Sequence, residues 1–156
     1  MRTLTACLAA LALLTGCAAE RPCTAVGAPV GVAVTVKAPL AARVADATLE
    51  VCWSGSCHRP RLELRPATAA AGETCAGDSC SVTMEPTGDE HGFGTVAGLP
   101  KSPVRVRLTL RDAGGGEVLD RTLQVTPKGR FPNGPDCGEA GPSAEVIAEG
   151  GIVREG

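Results

Sequence analysis

The sequence predicts an all-β fold, an antiparallel β-sandwich of about seven to nine short strands held together by disulfides. Valine and leucine recur at every second position in several short segments, which is the period of a half-buried strand. Glycine, proline and other turn-forming residues separate these segments, and none of them has the spacing of an amphipathic helix. The length of 156 residues suits one domain, which we place at residues 30–156.

The first three predicted strands are residues 30–36, 47–53 and 59–65, and each directs its apolar side chains to one face. The predicted inward residues are Val30, Val32, Val34, Val36, Ala47, Leu49, Val51, Trp53, Leu62 and Leu64. The architecture is immunoglobulin-like only in outline. Trp53 directly follows Cys52, whereas a true immunoglobulin domain spaces the tryptophan between two distant cysteines.

The middle of the chain is predicted to be less regular. Residues 66–72 begin with proline and continue as an alanine-rich stretch too short to hold a helix by itself, so we expect them to interrupt the strands. Residues 80–84 predict a strand with Val82 and Met84 on one face. Residues 88–94 predict a polar loop bounded by glycines.

The last third of the chain has the clearest strand signal. Residues 104–111 alternate valine or leucine with arginine or threonine, and residues 118–125 return after a glycine-rich hairpin turn at 112–117. Residues 127–142 contain four prolines and predict an irregular segment. Residues 144–153 predict a closing hairpin, because two glycines lie between two apolar segments.

Charged residues follow the outer face of this strand pair: Arg105, Arg107, Arg111, Asp112, Glu117, Asp120 and Arg121. The favoured interpretation is a solvated face with cross-strand ion pairs. The alternative is a docking surface for an acidic partner or for lipid headgroups.

The first residues predict export and lipid attachment. A short basic start is followed by an apolar run at residues 4–14, which is too short to span a bilayer and matches the core of a signal peptide. The run ends in Leu14-Thr-Gly-Cys17, which resembles the lipobox of bacterial lipoproteins. That resemblance implies cleavage before Cys17 and a diacylglyceryl (palmitate-type) chain on its thiol. It also implies a signal peptide at 1–16 and a lipidated tether at 17–29.

The cysteines then predict structural disulfides. Of the eight cysteines, Cys7 leaves with the signal peptide and Cys17 is lipidated. The six that remain lie outside the cytoplasm, where disulfides form. Two pairs each enclose four turn-forming residues, as expected for hairpins with opposed cysteines. The spacing favours the connectivity Cys52–Cys57, Cys75–Cys80 and Cys23–Cys137 over a zinc site or a redox pair.

The mature chain also resembles a loose group of small lipoproteins from high-GC bacteria. The likeness lies in the late strand pair, the segment Phe131-Pro-Asn-Gly-Pro-Asp-Cys137-Gly and the short closing strand pair. That group has no assigned activity, so the resemblance implies fold and location only. We therefore expect a protein of the cell membrane, held by lipid on Cys17 at the extracytoplasmic face of the envelope.

Composition excludes nucleic acid as a partner. The chain has three aromatic residues and a net charge of −2, so it offers neither a stacking platform for bases nor a basic surface for phosphates. We expect no cofactor and no enzymatic activity, but a binding or accessory module with a possible protein partner in the envelope. One alternative is a metal or small-ligand site that uses His58, Asp89, Glu90 or His91. Another is a hydrolase with paired carboxylates.

Overall fold

The structure is a computed structural model that describes residues 23–156. The predicted signal peptide and the predicted lipidation site at Cys17 lie outside these residues. Ten strands and two short 3₁₀ helices, Ala41–Arg43 and Pro135–Cys137, make up the described part of the chain. The strands are β1 Gly31–Val36, β2 Asp46–Trp53, β3 Ser56–His58, β4 Arg65–Ala76, β5 Ser79–Thr95, β6 Val104–Arg111, β7 Glu117–Val125, β8 Lys128–Arg130, β9 Ala140–Glu149 and β10 Ile152–Glu155.

The strands form two sheets, which confirms the all-β prediction. One sheet has six strands in the order β10-β9-β1-β5-β4, with β8 paired to β9, and the other has four in the order β3-β2-β6-β7. Residues of both sheets share one apolar core, as a sandwich requires. Among residues 23–156, no helix has the length and apolar character needed to cross a membrane.

The core consists mainly of the apolar residues that the alternation assigns to the inside, and Leu40, Ala41, Val96 and Leu99 add to it from outside the strands. Val32, Val34 and Val36 of β1 are fully buried, and so are Val106 and Leu108 of β6. Their neighbours along each strand point to the opposite face, because successive side chains alternate in a β-strand. Valine and leucine dominate this core, and aromatic side chains add little volume to it.

One strand pair differs from the purely antiparallel expectation. β1 lies between β5 and β9, antiparallel to β5 but parallel to β9, with Gly31 beside Ser143 and Val36 beside Ala148. More than a hundred residues separate the two parallel strands, which is ample chain for the crossover that a parallel pair needs. The starts of β1 and β9 therefore lie at the same end of the sandwich.

Two predicted interruptions are wrong, since both belong to long strands. Residues 66–72 lie within β4, and the predicted loop at 88–94 lies within β5, where it pairs with β1. Glycine suggested a loop, but Gly92 and Gly94 face inward at positions without room for a side chain. A Cβ atom at Gly92 would lie 2.5 Å from the carbonyl oxygen of Glu63.

The predicted strand at residues 59–65 is also wrong, although its inward residues are correct. β3 ends at His58, and residues 59–64 form an irregular segment that passes close to Gly92 and Gly94 of β5. Pro60 has no backbone N–H to donate to a ladder, which explains why the strand stops there. Leu62 and Leu64 still pack against the core.

The six cysteines form three disulfides with the connectivity that their spacing favours. Cys52–Cys57 and Cys75–Cys80 each close a hairpin, with Cα atoms 4.1 and 4.0 Å apart. Cys23–Cys137 joins the start of the described chain to its late irregular segment. Asn133 reinforces this connection, because its side chain accepts a hydrogen bond from the N–H of Val26 and donates one to the carbonyl of Val26.

Candidate functional site

An open groove of about 740 Å³ lies on the outer face of the six-stranded sheet. Its floor is formed by Ala33 and Thr35, the residues of β1 that point away from the core. Phe93 lies opposite Ala33 on β5, and Glu145 lies opposite the same residue on β9. The groove exists because two short side chains lie between larger ones on the neighbouring strands.

Two elements build the polar wall of the groove. His91 on β5 lies between Thr35 of β1 and Arg65 of β4 in the register of the sheet, so the three side chains share the outer face. The irregular segment at 59–64 adds Arg61 and Glu63 to the same wall. The alternation that buries Leu62 and Leu64 directs these two charged residues outward.

Glu63 joins the two arginines of this wall. Arg65 donates a hydrogen bond to one oxygen of its carboxylate at 3.4 Å, and Arg61 donates to the other. These contacts hold the pKa of Glu63 below its ordinary value, with the hydrogen bond from Arg65 as the largest cause. Glu63 is therefore ionised at neutral pH, as suits a carboxylate that positions guanidinium groups and not one that donates a proton.

The groove offers mixed chemistry to a ligand. Phe93 provides an apolar surface, Arg61 and Arg65 provide planar donors, and Glu145 provides acceptor oxygens. Thr35 donates a long hydrogen bond of 3.4 Å to Glu145, which orders the far side of the groove. Such a surface fits a ligand that combines apolar and charged groups.

The four residues of the predicted ligand site do not converge. Asp89 is held by the ammonium group of Lys37 and by the N–H of Ala38. Successive strand residues face opposite sides, so His91 lines the outer groove whereas Glu90 lines a separate cavity of about 340 Å³ with Leu62 and Leu64. His58 lies on the other sheet.

His58 is exposed and packs against an aromatic neighbour instead. Its ring stacks on the indole of Trp53, with centroids 4.3 Å apart and planes 12° from parallel. The two residues are diagonal neighbours on paired strands, which brings long side chains within reach.

Two clusters of potential metal ligands coincide with the hairpin disulfides. Glu50 lies near Cys52 and Cys57, and Glu73 lies near Cys75 and Cys80. Metal ions bind the thiolate form of cysteine, and here the two sulfurs of each cluster are bonded to each other. In the part of the chain that the structure describes, these cysteines therefore act as structural bridges.

The outer face of the four-stranded sheet carries part of the ion pairing that its charge pattern predicts. The placement of Arg121 on this face is wrong, because Arg121 pairs with the inward Leu108 and so lies on the opposite face of β7. Arg107 makes two hydrogen bonds to the carboxylate of Asp120 across β6 and β7, one of them 2.8 Å long. This contact lowers the pKa of Asp120 and raises that of Arg107. Arg59 donates a 2.7 Å hydrogen bond to Glu50 on the same face. Arg107 and Arg59 are therefore engaged within the molecule, which favours the solvated-face interpretation.

Apart from His91, the groove residues are not among the candidate site residues that the sequence predicts. One available signal was the outward face of β1, where Ala33 and Thr35 are short although strands usually carry larger residues at exposed positions. Arg61, Glu63 and Arg65 alternate along the chain, but their shared position beside β5 depends on tertiary packing. Comparisons with protein-family models, with curated proteins and with solved structures found no match to this chain.

Proposed function

We propose that the protein is a lipid-anchored, non-catalytic binding module at the extracytoplasmic face of the cell membrane, and that it binds its ligand in the outer groove of the six-stranded sheet. The Leu14-Thr-Gly-Cys17 motif supports the anchor. Six paired cysteines support an oxidising location, because such bridges are rare in the cytoplasm.

The observation that carries the binding role is the construction of the groove. Its wall brings the guanidinium groups of Arg61 and Arg65 together around the carboxylate of Glu63, beside the apolar surface of Phe93. The lowered pKa of Glu63 favours binding over acid catalysis, since a general acid needs a raised value. We infer a ligand with an apolar portion against Phe93 and an acidic group against the two guanidinium groups.

The anchor is tested by Cys17→Ala in the native cells. We expect the variant to leave the membrane fraction, while wild-type protein carries a lipid on its amino-terminal residue by mass spectrometry. Cys7→Ala is the matched control, because Cys7 lies inside the predicted signal peptide and should not affect anchoring. A Cys17→Ala protein that still sediments with membranes contradicts the anchor.

The groove is tested by NMR on the full chain in detergent micelles. Two probe pools are added, one of short acidic peptides with apolar residues and one of cell-wall glycan fragments. We expect shift changes at Ala33, Thr35 and Phe93 that disappear in Arg65→Ala. Arg121→Ala on the other sheet is the control. Changes confined to residues outside the groove contradict the proposed site.

A further inference from the structure

The hairpin of β4 and β5 extends far beyond the sandwich. β1 ends at Val36, opposite Glu90 of β5, whereas the pairing of β4 with β5 continues to Ala76 and Ser79. We call residues 66–88 the ribbon. Every residue from 68 to 88 is exposed, and none belongs to the core. At about 3.3 Å per residue, the ribbon projects about 30 Å from the sheet.

The ribbon has two chemically different faces. One face is mainly apolar and bears the tip disulfide; its residues are Thr68, Ala70, Glu73, Cys75, Cys80, Val82, Met84 and Pro86. The other face carries hydroxyl groups at Thr74, Ser81 and Thr83 and the carboxylate of Glu85. Val82 and Met84 are 52% and 53% exposed, among the most exposed large apolar side chains of the described residues. Two large apolar side chains on an arm outside the core favour a binding role.

The ribbon leaves the sandwich at the end opposite the chain start. Cys23 is bridged to Cys137, close to the starts of β1 and β9. The ribbon begins where β1 and β9 approach their other ends, at Val36 and Ala148. An anchor attached shortly before Cys23 would therefore place the tip of the ribbon away from the membrane, a direction that rests on the proposed function.

Charge distinguishes the possible occupants of the apolar face. The ribbon carries Glu73, Asp78 and Glu85 and contains no lysine, arginine or histidine. Anionic lipid headgroups would repel it, and two copies packed through their apolar faces would bring two ribbons of like charge together, with Glu73 on the packed face of each. A protein surface that combines an apolar cleft with basic residues complements both the apolar face and the negative charge of the ribbon.

The ribbon is ordered at both ends, which reduces the entropy that binding would cost. Cys75–Cys80 closes the tip. At the base, Asp89 is held by Lys37 and Ala38, and the hydroxyl of Thr87 donates a 3.2 Å hydrogen bond to the carbonyl of Ala67.

We propose that the ribbon is a docking arm that presents Val82 and Met84 to an extracytoplasmic protein whose receiving surface is an apolar cleft bordered by lysine or arginine. The partner is a protein and not the bilayer, because the arm is acidic and extends from the end opposite the anchor. The groove and the ribbon are separate surfaces, so the two can be occupied together.

The test places a benzophenone amino acid at single positions of the full chain in the native cells. We expect ultraviolet light to give one adduct from positions 82 and 84, and about tenfold less from positions 81 and 83 on the opposite face. Glu73→Lys with Asp78→Lys should weaken the adduct from position 82 about tenfold, since basic residues would then face basic residues. Peptide mapping should find lysine or arginine beside the crosslinked partner residue.

Three outcomes of the crosslinking experiment would overturn the docking arm. No adduct from position 82 or 84, equal adducts from both faces, or an adduct with a second copy of this chain would each overturn the proposal. Equal thermal melting of the variants and wild type checks that the sandwich is intact. The Cys17→Ala variant separates the two proposals. A crosslinked adduct that this variant still forms supports the docking arm, whether or not the protein is anchored. The anchor itself is tested only by whether the variant leaves the membrane fraction.

The direction of the arm is tested in vesicles of phosphatidylcholine and phosphatidylglycerol that contain the lipidated protein. A fluorophore at position 78, at the tip, should transfer less energy to a headgroup dye than one at position 139, near the bridged chain start. Greater transfer from position 78 would place the tip at the membrane and overturn the docking arm.

Discussion

Lys37 and Asp89 connect the end of β1 to the base of the ribbon. The ammonium group of Lys37 donates a hydrogen bond to one carboxylate oxygen of Asp89, and the N–H of Ala38 donates to the other oxygen at 2.8 Å. The contact with Lys37 is the largest cause of the lowered pKa of Asp89, followed by the backbone hydrogen bond. The same contact raises the pKa of Lys37.

The ion pair of Lys37 and Asp89 predicts that the stability of the ribbon base depends on pH. Because the folded-state pKa of Asp89 lies below its ordinary 3.8, the pair stabilises the fold above that pH and loses its effect as the pH falls through the folded value. We expect Asp89→Asn to speed amide exchange in the ribbon at pH 7, with a difference from wild type that vanishes at strongly acidic pH. Glu85→Gln, which removes another ribbon carboxylate, is the control. An equal difference at both pH values contradicts the prediction.

Gly92 lies at a position with no room for a side chain, so we expect any larger residue there to destabilise the fold. A Cβ atom there would lie 2.5 Å from the backbone oxygen of Glu63 and 2.9 Å from Leu62. We expect Gly92→Ala to lower the free energy of unfolding by about 1–3 kcal/mol in urea denaturation. It should also displace Glu63 from the groove wall. Gly72→Ala, with nothing within 4 Å of the new methyl group, should be close to neutral. Equal stability of the two variants would contradict this assignment.

The three disulfides should contribute unequally to global stability. Cys23–Cys137 closes a long loop around the whole domain, so replacing both residues by serine should cost about 2–5 kcal/mol in the free energy of unfolding. Cys75–Cys80 closes only the tip of an exposed ribbon. Its removal should leave the midpoint of thermal unfolding nearly unchanged while proteolysis within the ribbon becomes faster. A large fall in the midpoint would show that the ribbon folds cooperatively with the sandwich.

Core and ribbon apolar residues should respond differently to truncation. Leu108 is fully buried between the sheets, so Leu108→Ala should cost about 2–5 kcal/mol through lost contacts and a cavity. Val82→Ala should be nearly neutral in the same denaturation experiment, because Val82 is 52% exposed. A substantial cost for Val82→Ala would mean that the apolar face of the ribbon packs against the domain.

The predicted site was harder to anticipate than the fold. Period-two alternation identified the inward faces of β1, β2 and β6 because each of these strands is buried on one side only. Glycine and alanine predict breaks in a strand, and for that reason β4 and most of β5 are absent from the predicted strands. Both strands depend on contacts between distant residues: Gly92 allows Glu63 to approach, and β1 supplies the ladder for β5.

The sequence alone determined the all-β class, most inward residues and the two hairpin disulfides, because alternation and the spacing of hairpin cysteines are local properties. Cys23–Cys137 follows as the pair that remains. The sequence also carries the motif on which the lipid anchor depends. Tertiary structure decided which strands are neighbours, and therefore that Ala33, Phe93 and Glu145 share one groove. It also decided that β4 and β5 continue beyond β1 as an exposed acidic arm. Residues far apart in the chain acquire a common surface only when strand register brings them together.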